Sequence, residues 1–157
     1  MVALKDILPE LGSLPDIQLS GLSDDSRVIS SGQAFIAVAG DDSDGHEYIT
    51  DAIARGAAVV LAEQPVADCP VPVIVVPELK RQRGAIAGRM LGDPSRRMHC
   101  AGITGTNGKT SVAYYLAELA SDLGHTCGYL GTIGWGLPDA LEQAALTTDS
   151  AINTQQR

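Results

Sequence analysis

The sequence is poor in aromatic residues, with one Trp, one Phe and four Tyr making up 4% of the chain. Its core must therefore rest on Ala, Val, Ile and Leu, a composition that suits strands buried between helices. Cysteine is scarce as well. Cys69, Cys100 and Cys127 are odd in number, widely spaced and without a CxxC pair. That leaves neither a disulfide framework nor a zinc pattern, points to a reducing cytoplasmic setting, and makes the three thiols small buried hydrophobes. Positive charge is short: 11 Lys and Arg stand against 19 Asp and Glu, a net charge of −8. Nucleic acid is thus an unsuitable partner, and any bound phosphate must be held by a local device. No apolar run approaches the roughly 20 residues that cross a bilayer, so no membrane insertion is expected. Met1–Glu10, with one Lys, two acids and no long apolar run, does not read as a secretory signal.

What is present fits an ordinary folded chain. The 157 residues are 45% apolar and 19% charged, enough to bury a core without metal or disulfide staples. The pattern predicts a short helix over 4–11, a short strand over 19–22 and a strand over 33–39. A helix follows over 46–55, then strands over 57–62 and 71–76 and a helix over 78–91. Gly92-Asp93-Pro94-Ser95 is the natural linker, since the chain changes character after it. Beyond it the pattern predicts a buried strand over 98–104, a Gly-rich loop, a helix over 109–123 with apolar residues at Val112, Tyr115, Leu116, Leu119, Ala120 and Leu123, and a strand over 126–133. That order is the opening of a βαβ unit, too short to complete a doubly wound domain, so the chain is expected to be a small domain followed by the start of a larger one.

The sharpest chemical signal is Gly102-Ile103-Thr104-Gly105-Thr106-Asn107-Gly108-Lys109-Thr110-Ser111. Glycines let successive backbone N–H groups face one hollow, and the positive end of the following helix adds to them; together they form an anion site. Lys109 would set a cation on the β- and γ-phosphates, and the Thr110 hydroxyl stands where a Mg²⁺ ligand is needed. The strict P-loop has Gly five residues before Gly108, where this chain has Ile103. The competing reading is a Gly-rich turn capping a helix, with a solvated lysine.

Other clusters carry less. Asp24-Asp25-Ser26-Arg27 is by itself an Asx-type turn. Asp41-Asp42-Ser43-Asp44-Gly45 imitates a calcium loop but has Gly40 at the first ligand position and Asp51 in place of the bidentate Glu. His46 reads as a helix-start surface residue, and His99 and His125 have no partner pattern. Six of the eleven basic residues lie between Lys80 and Arg97, as a solvated helix face with a basic end.

Gly105–Thr110 resembles the ATP loop of the Mur ligases and their folylpolyglutamate synthetase relatives. Asp25-Ser26-Arg27, Gly32–Ala37, and Asp44–Ile49 with Ala52 and Gly56-Ala57-Ala58 resemble the uridine-nucleotide domain of the MurE-type branch; so do Gly131-Thr132 and Leu146-Thr147-Thr148 of its substrate segment. The resemblance implies an α/β fold: a UDP-MurNAc-binding domain over 1–95, then the start of a P-loop-type ATPase domain with a parallel sheet over 96–157. It implies a cytoplasmic, monomeric, ATP- and Mg²⁺-dependent ligase of peptidoglycan precursor synthesis. ATP would phosphorylate the terminal carboxylate of UDP-N-acetylmuramoyl-dipeptide, and the amine of a diamino acid, meso-diaminopimelate or lysine, would displace phosphate from the acyl phosphate.

Carried over residue by residue, the ATP site is Gly105, Thr106, Asn107, Gly108, Lys109, Thr110 and Ser111, with Lys109 catalytic and Thr110 on the metal. The UDP-MurNAc site is Asp24, Ser26, Asp41, Asp42, Ser43, Thr147 and Thr148. A chain this short is expected to be inactive alone. A MurF-type or folylpolyglutamate-type ligase, and a stand-alone nucleotide-binding module, are the competing readings.

Overall fold

Gln33–Ala37 and Val59–Ala62 are short apolar runs, and in the computed structural model, which describes residues 1–40, 44–143 and 149–157, they become the two central strands of a parallel sheet. The chain divides into two units, Met1–Pro94 and Ser95–Arg157.

The first unit begins with β1 (Val2–Ala3), α1 (Leu4–Ile7) and β2 (Gln18–Leu19), β2 pairing antiparallel with β1. Then come β3 (Gly21–Ser23), β4 (Gln33–Ala37), α2 (Ile49–Ala54, entered through a 3-10 turn at Gly45–Tyr48), β5 (Val59–Ala62), β6 (Val73–Val75) and α3 (Leu79–Met90). The sheet order is β3-β4-β5-β6, parallel throughout, with Ser23 opposite Phe35, Phe35 opposite Val60 and Leu61 opposite Ile74. Every residue of β5 is buried, as expected of a strand covered on both faces. One face carries Phe35, Ala37, Val60 and Ala62 into a cluster with Ile29, Ile49, Ala52 and Ala57. By strand alternation Ala34, Ile36, Val59 and Leu61 face the other way; α3 packs against α1 and against β3. Arg89 ties α3 to α1: its guanidinium donates to the Ile7 carbonyl at 3.1 Å and pairs with Glu10.

Several elements are shorter than their patterns suggest, and prolines explain two of them. The helix expected over 4–11 stops at Ile7 because Leu8 precedes Pro9 and leaves the helical region (φ −129°, ψ 55°). The strand expected over 71–76 is reduced to Val73–Val75, since Pro72 has no N–H for the ladder. The strand expected over 19–22 breaks at Ser20, its halves serving different sheets. Gly45 closes the loop after β4: its N–H donates to the Val38 carbonyl at 2.9 Å, and a Cβ there would lie 2.7 Å from that oxygen.

The second unit holds α4 (Lys109–Asp122), β7 (Tyr129–Gly131), β8 (Gly134–Leu137), β9 (Ala140–Glu142) and α5 (Ala151–Gln156). Here two expectations are corrected. Residues 98–104 form no strand, and nearly all are exposed; a strand needs a neighbour for its ladder, and none of the unit's described strands runs beside them. The strand expected over 126–133 is only Tyr129–Gly131. It turns at Thr132-Ile133 into an antiparallel β7-β8-β9 meander, not a parallel pair. Gly131, Gly134 and Gly136 punctuate that stretch, and Gly134 and Gly136 take positive φ (148° and 127°). The chain is thus α/β with a four-stranded parallel sheet, and that sheet lies in the first unit. Among the described residues no helix is long and apolar enough to cross a membrane.

Candidate functional site

Two sites emerge, one in each unit. In the first, the carboxyl ends of the parallel strands open onto loops, the edge where ligands bind in open α/β sheets. The loop after β3 is cross-linked by its own short side chains. The Ser23 hydroxyl accepts from the Asp25 N–H at 3.0 Å, and Asp25 accepts from the Arg27 backbone at 2.9 Å and from its guanidinium at 2.7 to 3.2 Å. The Arg27 contacts hold the Asp25 carboxyl below the usual carboxylate range, against a smaller opposing effect of burial.

Ser26 is 5% exposed, and its hydroxyl, followed by the Arg55 guanidinium, is the leading influence holding the Asp51 carboxyl of α2 below the usual carboxylate range. Arg55 holds Asp51 at 3.1 Å and donates to the Arg27 carbonyl at 3.3 Å, so α2 grips the whole loop. Asp24 pairs with Arg83 of α3 at 3.5 Å.

The structure therefore brings Asp24 and Ser26 together at the sheet edge, both already engaged by the protein. Asp41, Asp42 and Ser43 lie outside the described residues, as do Thr147 and Thr148. At the base of that loop, Asp44 accepts from the His46 N–H at 3.0 Å and meets the ring Nδ1 at 2.6 Å; the backbone bond leads in lowering its pKa. Asp51, Arg55 and Arg83 escaped sequence reasoning. The i,i+4 spacing of Asp51 and Arg55 advertises a helical ion pair, but nothing in the sequence says that it clasps a distant loop.

The second site is the Gly-rich loop. Gly108 sits at φ 76°, a left-handed position that spares glycine the usual strain, and its carbonyl accepts the first α4 bond from Val112 at 2.9 Å. The loop curls around the Lys109 ammonium, which donates to the carbonyls of Gly105 at 2.6 Å and Thr106 at 3.4 Å. An ammonium has three N–H donors, so one remains for a ligand. The first amides of α4 have no intrahelical acceptor and add their donors to the positive end of a 14-residue helix.

Beside Lys109 opens a hollow of about 340 Å³, lined by 101–103, Thr110, Ala113, Tyr129–Thr132, Asp149 and Thr154. Asp149 is paired with Arg157, whose guanidinium lies 4.4 Å from the centre of the Trp135 ring. Of the motif's residues from Gly105 to Ser111, Lys109 and Thr110 line this hollow. Tyr129, Asp149 and Thr154 are additions without a sequence signal.

The comparisons with known proteins follow the same division. The model of the Mur ligase family catalytic domain matches residues 18–88, and that of the Mur ligase middle domain matches 103–157. UDP-N-acetylmuramoyl-L-alanyl-D-glutamate–2,6-diaminopimelate ligase of Alkalilimnicola ehrlichii is 41% identical over 99% of this chain and 34% of its own length. A solved structure of a ligase with that name superposes with a TM-score of 0.73 at 27% identity, covering 99% of this chain and 32% of the other. MurF ligase from Thermotoga maritima, solved in complex with ADP, superposes with a TM-score of 0.51 at 26% identity over 64% of this chain and 23% of its own. This chain spans about a third of the length of the curated relatives it matches. With both halves matched in order, and with a lysine-centred Gly-rich loop in the second, the chain belongs to the Mur ligase family.

Proposed function

We propose that this chain carries the nucleotide-binding portion of an ATP-dependent ligase that adds the third peptide residue, a diamino acid, to UDP-N-acetylmuramoyl-L-alanyl-D-glutamate. The observation that carries the reading is the Lys109-centred loop, in a chain similar along nearly its whole length to diaminopimelate-adding ligases. The first unit takes the uridine nucleotide at the loops around Asp24, Ser26 and 41–43, and Thr147 and Thr148 meet the muramyl substrate. The second unit takes ATP at Gly105–Ser111.

Formation of the amide needs two transfers. The carboxylate oxygen attacks the γ-phosphorus and ADP leaves; the amine nitrogen then attacks the acyl carbon and phosphate leaves. Both demand positioning and relief of phosphoryl charge rather than a protein nucleophile. Lys109 supplies a fixed cation at that point. The oxygen donors of the hollow suit Mg²⁺, with Thr110 as its ligand; the ion would neutralise phosphate charge. The described residues hold no cluster of three or more His, Cys, Asp or Glu for a metal, which suits a cation held chiefly by the phosphates. We read the protein as a monomer, and consumption of ATP suits the cytoplasm. A MurF-type substrate is the second reading, since MurF ligases are also structural neighbours of this chain, with TM-scores of 0.58 and 0.51.

Calorimetry on the 157-residue chain tests this. UDP-N-acetylmuramoyl-dipeptide and Mg-ADP should both bind, and Lys109→Ala should weaken only Mg-ADP, by about tenfold or more. The isolated chain should show no turnover. Failure to bind the UDP-sugar, or a Lys109→Ala chain that binds Mg-ADP unchanged, contradicts the reading.

A further inference from the structure

Tyr129 is 3% exposed, and among the described residues its hydroxyl finds no hydrogen-bond partner. A buried, unpaired hydroxyl is destabilising and calls for a reason. Its position supplies one. A Cβ placed on Gly131 would lie 2.3 Å from the Tyr129 oxygen, so the phenol occupies the space that a side chain at 131 would fill. Tyr129 and Gly131 both line the hollow that Lys109 and Thr110 enter. Gly131 places no side chain beside that hydroxyl. On its other flank the ring is held edge-on by Tyr114, 5.9 Å between centroids, and Tyr114 is itself anchored by donating to the Pro138 carbonyl at 3.3 Å. The ring is fixed and only its hydroxyl lacks a mate.

We propose that Tyr129 is a ligand-binding residue whose hydroxyl donates to a phosphoryl oxygen of the nucleotide held at Gly105–Ser111. The assignment rests on the reading of that loop as the ATP site. The ligand chemistry is a polyphosphate: a phenol O–H matched to an anionic oxygen makes a charge-assisted bond, and Lys109 lines the same hollow.

Tyr129→Phe keeps the ring and deletes only the oxygen. Its melting temperature should equal or exceed that of the unsubstituted chain, since an unpaired group is gone, while its affinity for Mg-ADP and for inorganic pyrophosphate should each fall by about tenfold. In the unsubstituted chain the Tyr129 ring Cζ resonance should move when pyrophosphate is added, a readout that needs no variant. Unchanged affinity in Tyr129→Phe, a loss confined to ADP, or a Cζ resonance that stays put overturns the assignment. If the unsubstituted chain binds neither probe, the ATP reading of the loop fails and the assignment falls with it.

Discussion

Asp25 and Asp51 are the residues on which the loop after β3 depends. Both carboxyls sit below their ordinary values, Asp25 chiefly through Arg27 and Asp51 chiefly through the Ser26 hydroxyl and then Arg55. Depressed carboxyls bind protons less readily in the folded chain than in the unfolded one, so stability rises with pH between the two values. Their contribution is complete above the ordinary carboxylate range, about pH 4, and is lost as pH falls through the folded values. Urea unfolding from neutral pH to pH 2.5 should show that acid limb. Asp51→Asn should be the less stable chain at neutral pH, with the two curves converging in acid; parallel curves would contradict the assignment. Residue chemistry of this kind was only partly legible beforehand. The Asx-type turn at Asp25-Ser26-Arg27 and the lysine of the Gly-rich loop could be read directly, because their partners lie within a few positions. Asp51 and Arg83 reach the same loop only through the fold, and a one-dimensional pattern does not carry that distance.

At the scale of elements, patterns held where the partner surface was present. β4, β5, α2, α3 and α4 appear where alternation or helical spacing put them, within a few residues. The stretch 98–104, with Met98, Cys100, Ala101 and Ile103 among its residues, makes no ladder, since hydrophobicity chooses a strand only when a second strand accepts its bonds. α4 makes the same point. Its stripe of Val112, Tyr115, Leu116, Leu119 and Leu123 is helical as expected but stays exposed, with only Ala117 of the helix buried. A paired substitution separates the two cases. Ile86→Ala in α3, at a position with no exposure, should cost about 2–5 kcal/mol. Leu119→Ala, at 57% exposure, should change stability by no more than about 0.5 kcal/mol. Comparable losses at both positions, read from urea midpoints, would mean that the α4 stripe is covered in solution.

At the scale of the molecule, the two sites proposed for phosphate-bearing ligands, one in each unit, sit on a chain of net charge −8. Binding must then come from local arrangements of amides, one ammonium and helix polarity, because the overall field repels anions. The central claim is that Gly105–Ser111 is a phosphate cradle, and backbone amide NMR on the labelled 157-residue chain tests it most directly. Titration with Mg-ADP should move the amide signals of 102–111 and 129–132 together, with a single saturating dependence, and leave those of β4 and β5 in place. Signals that stay fixed in 102–111 to millimolar ligand, or that move only in the first unit, would contradict the account.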